Sequence, residues 1–205
     1  MAHRDKSGIV PQLRLYREWL QREHGLEFSD YASLWAWSTA DLDGFWRSVW
    51  AYHDLQSPTP FAAVVSGGMP AASWFEGAQV NYAQQVFRHA EAAEAAGQPA
   101  IVAENEHGET TELGWTALRK RSASLALALR RHGVRRGDRV AAYLPNVPEA
   151  VIAMLACASI GAVWTVCSPD MGTPAVLDRF RQVAPKALIA IDGVFYCGRR
   201  MDLSA

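Results

Sequence analysis

Two adjacent arginines near the end of the chain, Arg199 and Arg200, are the side chains best suited to binding an anion. They follow a predicted turn after the last predicted strand, at the edge of a sheet where ligands of open parallel sheets bind. A guanidinium group presents N–H donors in a fork that matches two oxygens of a phosphate. A solvated, charged chain end explains the same pair equally well, so both interpretations stay open.

The other reactive side chains lack catalytic or metal-binding spacing. Cys167 ends a predicted strand, where a nucleophile could lie, but no histidine is near it in sequence and a small buried side chain is favoured. The six histidines are scattered and the three cysteines lie far apart, so we expect no metal site. Neither G-x-x-x-x-G-K-[ST] nor G-x-G-x-x-G occurs. We therefore assign no catalytic residue from these patterns.

The first part of the chain reads as helical. Apolar residues from Ile9 to His53 follow helical spacing and predict two or three short helices, most clearly at Leu42, Phe45, Trp46, Val49 and Trp50. The many aromatic side chains here predict a packed core, with a sugar- or base-stacking surface as the alternative. Phe61–Pro70, which ends in Ser-Gly-Gly-Met-Pro, is predicted to be a connector. A further helix is expected from about Val80 to Ala95.

From residue 100 onward, short apolar runs alternate with helical runs. The predicted strands are Ala100–Ala103, Thr110–Leu113, Arg139–Leu144, Ala162–Cys167 and Ala187–Ile191. Most of these runs are continuously apolar, which predicts a largely parallel sheet with helices on both faces. The expected fold class is therefore α/β, with a helical region over residues 1–95 and an incomplete sheet domain over residues 96–205.

In such a sheet, ligands bind beyond the carboxyl ends of the strands. Here those ends are the turns after Leu144, Cys167 and Ile191, and we expect a binding site there. Asn146, three residues before Glu149, is predicted to be the N-cap of the helix that follows the first of these turns.

Composition restricts the class of protein. A chain of 205 residues fits one large domain or one domain with an attachment, and its 50% hydrophobic content supports a core. A net charge of -1 argues against broad attraction to nucleic acid or to an anionic membrane. Three cysteines, no secretory signal and no apolar run of ~18 residues indicate a soluble protein of the reducing cytoplasm.

Three segments together resemble the N-terminal part of acetoacetyl-CoA synthetases, within the adenylate-forming acyl-CoA synthetase superfamily. They are Trp74–Ala83 (WFEGAQVNYA), Tyr143–Ala150 (YLPNVPEA) and Cys167–Gly172 (CSPDMG). The first two are similar to segments of acetyl-CoA and propionyl-CoA synthetases as well. The Cys-Ser-Pro-Asp turn replaces a double-glycine turn of the acetyl enzymes and favours the acetoacetyl branch, as do Val176–Phe180 and Asp192-Gly193.

The resemblance implies a function in lipid metabolism. Such ligases use ATP, Mg²⁺ and coenzyme A (CoA) to convert acetoacetate to acetoacetyl-CoA, releasing AMP and pyrophosphate. Family members are about three times as long as this chain. Their ATP-binding loop and catalytic lysine have no counterpart in these 205 residues, so no catalytic residue or bound cofactor is carried over. Arg199 matches a position near the CoA phosphates of related enzymes, which makes Arg199 and Arg200 the candidate cofactor-binding residues.

Two hypotheses follow. The chain is either the N-terminal portion of an acetoacetate–CoA ligase, inactive alone, or a non-catalytic binding or interaction module that retains the fold. A dinucleotide-binding oxidoreductase is disfavoured because the glycine fingerprint is absent. The coding sequence after Ala205 separates the first two hypotheses. An incomplete sheet exposes a strand edge, so we also expect self-association.

Overall fold

The computed structural model describes residues 11–203, and the chain divides between residues 80 and 81 into two compact units. The first unit contains α1 (Pro11–His24), α2 (Tyr31–Ala40), α3 (Leu42–Tyr52), β1 (Ala63–Ser66) and β2 (Ser73–Glu76). The second contains α4 (Tyr82–Phe87), α5 (Ala90–Ala95), β3 (Ile101–Glu104), β4 (Thr110–Leu113), α6 (Trp115–Arg131), β5 (Arg139–Tyr143), α7 (Pro148–Ser159), β6 (Val163–Cys167), α8 (Thr173–Val183), β7 (Ala187–Ala190), β8 (Gly193–Tyr196) and β9 (Arg199–Asp202).

Three helices with an aromatic core begin the first unit. Tyr16, Leu20 and Leu34 are buried, and Trp19 and Trp37 pack against them. The predicted short helices are therefore confirmed for the described part, whereas residues 9 and 10 lie outside it. The packed-core interpretation is confirmed for Trp19 and Trp37 but not for Trp35 and Trp46, which are 57% and 39% exposed.

A β-hairpin follows these helices. The connector predicted at Phe61–Pro70 is wrong over β1, which pairs antiparallel with β2 and places Val65 opposite Trp74. The turn signal itself is correct, since Gly67 has a φ of 74°. A strand of four residues is too short to show a clear alternating pattern, and its partner lies beyond the turn.

The second unit is built around a three-stranded parallel sheet with the order β6-β5-β7. Leu129 of α6, Val140 of β5 and Cys157 of α7 form one buried cluster, so α6 and α7 pack over the sheet. Arg139 donates to the carbonyl oxygens of Val183 and Ala184, and it thereby joins the start of β5 to the end of α8. This arrangement confirms the α/β class and the parallel core.

Two hairpins in this unit differ from the predicted, largely parallel sheet. β3 and β4 pair with each other in an antiparallel hairpin and do not join the described parallel sheet. β8 and β9 form a second antiparallel hairpin where the sequence predicted no strands. Strands this short depend on a partner strand for their hydrogen bonds, and the sequence of one strand does not show which strand that partner is.

The division between the units lies before the predicted domain boundary at residues 95 and 96. The helix predicted over Val80–Ala95 is two helices, α4 and α5, and α4 packs on α7. Asn81 caps α4 by accepting the N–H of Gln84, and its amide donates to the carbonyl oxygen of Ala158 at 2.9 Å. Asn81 therefore joins the start of α4 to the end of α7, within the second unit.

Candidate functional site

The three parallel strands end at one level, and a cavity of about 630 Å³ opens beyond their carboxyl ends. Tyr143 of β5 lies opposite Cys167 of β6 and Ala190 of β7. The loops that follow these strands all line the cavity. The structure thus confirms that the turns after Leu144, Cys167 and Ile191 come together.

The loop after β5 supplies an amide to the cavity wall. The predicted N-cap role of Asn146 is wrong, because Val147 is the N-cap of α7 and Pro148 begins the helix. Asn146 precedes the cap and lines the cavity instead.

The loop after β6 is held by β5. The hydroxyl of Tyr143 donates to the carbonyl oxygen of Pro169 at 2.9 Å. The backbone N–H of Leu144 donates to the carbonyl oxygen of Cys167 at 3.2 Å. Ser168 and Asp170, on either side of Pro169, also line the cavity. Two neighbouring strands therefore fix the position of the loop that carries the Cys-Ser-Pro-Asp sequence.

The β8–β9 hairpin closes another side of the cavity. Its turn is Cys197-Gly198, and both residues have positive φ, 52° and 71°, as a two-residue type I′ turn requires. Phe195 and Arg200 lie opposite each other on the two strands, and both line the cavity. Since directly opposed residues project from the same face of an antiparallel pair, this face of the hairpin points to the cavity.

Glu106, in the β3–β4 loop, binds the turn of that hairpin. Its two carboxylate oxygens accept the backbone N–H groups of Cys197 at 3.0 Å and Gly198 at 2.9 Å. These hydrogen bonds from Gly198 and Cys197 lower the pKa of Glu106 below its usual value. An ionised carboxylate therefore connects two hairpins that are far apart in sequence.

The cavity wall contains more acidic than basic groups. Four carboxylates line it, from Glu104, Glu106, Asp170 and Asp192, against the single guanidinium of Arg200. Among the described residues, the Arg200 guanidinium has no ion-pair or hydrogen-bond partner. An anionic ligand in this cavity would consequently depend on Arg200, because the other charged groups around it repel a negative charge.

The two candidate arginines are placed differently. Arg200 lines the cavity, whereas Arg199 is not among its lining residues. Side chains alternate faces along a strand, and Arg199 is one residue before Arg200 on β9. The structure therefore brings Arg200 to the cavity and leaves Arg199 on the opposite face of the hairpin.

Sequence reasoning missed the contribution of the β3–β4 loop. Glu104, Glu106 and His107 line the cavity, and the His107 ring lies 5.6 Å from that of Phe195. The available signal was Gly108, whose φ is 75°, within a short polar loop between two strand-like runs. That signal identifies a hairpin but not the element it approaches.

A second opening of similar size lies beside α6, α7 and β7. Here Arg121 donates to Glu149 at 2.6 Å across the two helices, and this ion pair lowers the pKa of Glu149. The remaining lining is mainly apolar, including Leu125 and Ile189. Because Arg121 and Glu149 are already paired with each other and Lys120 is the one other charged residue among the lining residues, the cavity at the strand ends is the stronger candidate.

Within residues 11–203, the other reactive groups do not form a site. Cys167 and Cys157 are buried, and burial raises the pKa of Cys157 to about 11. Residues 11–203 contain no cluster of histidine, cysteine, aspartate or glutamate side chains that could hold a metal ion. No helix within the same residues is long and apolar enough to cross a membrane.

Comparison with protein families divides the chain at nearly the place where the compact units divide. Residues 31–86 match the family described as acetyl-coenzyme A synthetase N-terminus. Residues 87–202, more than half of the chain, match the family described as AMP-binding enzyme.

Curated relatives agree with these matches. The chain is 38% identical over 189 residues to the acetoacetyl-coenzyme A synthetase of Rhizobium meliloti (strain 1021), covering 92% of this chain and 28% of the relative. It is 38% identical over 178 residues to the acetoacetyl-CoA synthetase of Rattus norvegicus, covering 85% and 26%. It is also 31% identical over 192 residues to malonamoyl-CoA synthetase vrtB of Penicillium aethiopicum, covering 92% and 27%.

A solved structure shows the same fold. Acetoacetyl-CoA synthetase from Streptomyces lividans superposes with a TM-score of 0.83 at 43% sequence identity, over 92% of this chain and 29% of that one. The chain thus spans less than a third of the length of these relatives, and it corresponds to their N-terminal part.

Proposed function

This chain belongs to the AMP-binding enzyme family, and we propose that it is the N-terminal portion of an ATP-dependent acetoacetate–CoA ligase. The observation that carries the proposal is the similarity to acetoacetyl-CoA synthetases over 92% of the chain, in both sequence and structure. The Cys-Ser-Pro-Asp sequence of Cys167–Asp170, which resembles the acetoacetyl branch, supports the choice of substrate, and Ser168 and Asp170 of this loop line the cavity.

The proposed reaction has two steps. The acetoacetate carboxylate attacks the α-phosphorus of ATP and displaces pyrophosphate, which gives an acyl-adenylate. The CoA thiol then attacks the acyl carbon, loses its proton and displaces AMP, which gives acetoacetyl-CoA. Activation is needed because a carboxylate oxygen is a poor leaving group and AMP is a good one.

Within this reaction, the proposed role of the chain is to contribute one wall of the substrate site. Arg200 and Arg199 are proposed to contact the CoA phosphates, and Arg200 has the stronger support because it faces the cavity. The four carboxylates around Arg200 weaken its attraction for an anion, so we expect the isolated chain to bind CoA weakly. Mg²⁺, which the family resemblance implies, has no fitting group of ligands in residues 11–203, and no step is assigned to it.

The 205-residue chain is proposed to be inactive by itself. Adenylation requires a cradle for the ATP phosphates and donors that stabilise charge on the transferring group. The sequence contains no glycine-rich phosphate loop, and Arg200 is the only arginine or lysine lining the described cavity. The alternative function, a non-catalytic binding module, is favoured by the fact that a cavity of about 630 Å³ is formed within these residues.

The test is acetoacetate-dependent exchange of labelled pyrophosphate into ATP. We expect no exchange with the 205-residue chain, and exchange with acetoacetate preferred over acetate in a polypeptide continued through the codons that follow residue 205. Exchange by the short chain would contradict its inactivity, and a preference for acetate would contradict the branch. A stop codon at that point, or an inactive long polypeptide that still binds CoA, would favour the binding module.

Self-association is proposed to occur through the edges of the parallel sheet. β6 and β7 are its edge strands among the described elements, and Val163, Val166 and Leu188 are exposed on them. Exposed strand edges with apolar side chains pair readily with a second chain. A cytoplasmic location also stays a proposal, supported by the three free cysteines.

A further inference from the structure

Glu106 occupies a place that the proposed chemistry does not explain. It lies in the β3–β4 loop, 91 residues before Cys197 in sequence, and its carboxylate accepts the N–H groups of Cys197 and Gly198. These are the two turn residues of the hairpin that carries Arg200. A carboxylate with both oxygens engaged by consecutive backbone donors holds that turn in one orientation.

The hairpin needs such an external contact. Each of its strands has four residues, and β8 and β9 pair only with each other among the described strands. An isolated two-stranded hairpin is marginally stable in water. The position of Arg200 relative to the cavity is therefore set by what holds the turn and not by the hairpin alone.

We propose that Glu106 is a positioning residue, which fixes the β8–β9 turn and thereby directs Arg200 to the phosphate groups of CoA. The CoA part of this inference rests on the proposed function, whereas the positioning of the turn does not. The ring contact of His107 with Phe195, the residue opposite Arg200, is a second link between the same loop and the same hairpin.

The sign of the charge effect makes the proposal testable. Glu106 carries a negative charge close to the site of an anion, so its removal strengthens anion binding if charge alone matters. If Glu106 positions Arg200, its removal weakens anion binding instead. Glu104 is the matched control, because it lines the same cavity, is also exposed and has no ion-pair or hydrogen-bond partner for its carboxylate among the described residues.

The first measurement is hydrogen exchange at the amides of Cys197 and Gly198 in the full 205-residue chain, and it needs no ligand. We expect Glu106→Gln to speed their exchange about tenfold, as the loss of a charge-assisted acceptor predicts. Glu104→Gln is expected to leave these rates unchanged. Equal rates in the parent and Glu106→Gln would overturn the positioning of the turn, and Glu106→Ala, which removes both acceptors, repeats the test.

The second measurement is calorimetric titration with CoA at low ionic strength. Glu106→Gln is expected to weaken binding about two- to fivefold, whereas Glu104→Gln is expected to tighten it, because it only removes a repelling charge. The double variant Glu106→Gln/Arg200→Ala is expected to bind no more weakly than Arg200→Ala alone, because both changes remove one contact. Additive losses of affinity in the double variant, or tighter CoA binding by Glu106→Gln, would contradict the proposal that Glu106 acts through Arg200.

The two measurements separate the proposal from the proposed function. Faster amide exchange in Glu106→Gln together with a parent that does not bind CoA would support the positioning of the turn and contradict the CoA site. Unchanged exchange together with CoA binding that depends on Arg200 would support the CoA site and overturn the role of Glu106. Circular dichroism melting of each variant checks that the change is local, which we expect since Glu106 is exposed.

Discussion

Arg199 and Arg200 are neighbours in the chain but project from opposite faces of the β8–β9 hairpin. Arg200 lies opposite Phe195, and both line the cavity at the ends of the parallel strands. Arg199 is one position earlier on β9, so the alternation of a strand turns it to the other face. Arg199, which has the same charge and the same neighbours in sequence, is therefore the control for substitutions of Arg200.

Arg200→Ala is expected to weaken CoA binding about two- to fivefold, since an exposed ion pair contributes only modestly. Arg199→Ala removes the same charge from the other face and is expected to change the affinity less. Calorimetry at low ionic strength measures both, and the difference should shrink as salt is added. Equal losses in the two variants would contradict the distinction between the faces.

Leu129→Ala is expected to destabilise the chain by about 2–5 kcal/mol, because Leu129 is 6% exposed and its loss leaves a cavity in the cluster around Val140 and Cys157. Leu127→Ala, two residues earlier on α6, is expected to cost no more than about 0.5 kcal/mol because Leu127 is 55% exposed. Urea unfolding provides both values. Similar losses in the two variants would contradict the assigned faces of α6.

Asp138→Asn is expected to lower stability at neutral pH, with a difference from the parent that shrinks in acid. Hydrogen bonds from the Lys186 ammonium and from the backbone N–H of Arg135 lower the pKa of Asp138 below its ordinary 3.8. Its stabilising effect is therefore complete above about pH 4 and is lost as the pH falls through the lower folded value.

The measurement is urea unfolding from pH 7 down to pH 3. Asp178→Asn is the control. It removes the same charge from a carboxylate that accepts a hydrogen bond from the side-chain amide of Gln182. A difference between Asp138→Asn and the parent that grew with acid would contradict the assigned direction.

Cys197 is expected to react with iodoacetamide first among the three cysteines of the folded chain. It is exposed, whereas Cys157 and Cys167 are buried, and burial raises the pKa of Cys157 to about 11. Because the thiolate is the reacting form, Cys157 is protected by both inaccessibility and protonation at pH 8. Mass spectrometry of labelled peptides measures the order, and Cys197→Ser should abolish the fast phase. Fast labelling of Cys157 in the folded chain would contradict its burial.

Leu188→Lys is expected to reduce self-association of the chain. Leu188 is 56% exposed on the edge strand β7, and a lysine on an edge strand opposes pairing with another chain. Leu127→Lys adds the same charge to a similarly exposed position on α6 and is expected to leave association unchanged. Sedimentation velocity measures both. A parent that sediments as a monomer would contradict association through the sheet edge.

Much of this architecture was predictable from the sequence because its signals are local. The stripe of α6, the glycine that follows that helix, and the continuous apolar runs of β5, β6 and β7 each lie within one stretch of chain. Parallel pairing alone predicts the edge of the sheet at which these turns meet, since the carboxyl ends of parallel strands lie on the same side. The cavity therefore lies where the turns after Leu144, Cys167 and Ile191 were expected to meet.

The tertiary structure decided which side chains share that cavity. Glu106 and the turn at Cys197-Gly198 meet across 91 residues, and Asn146 lines the cavity while Val147 is the helix cap. Arg199 and Arg200 lie on different faces because they belong to a hairpin, and its strands are too short to be predicted from the sequence. Local patterns record which face of an element is apolar, but the pairing of two short strands and the contact of a loop with a distant turn are decided by the whole fold.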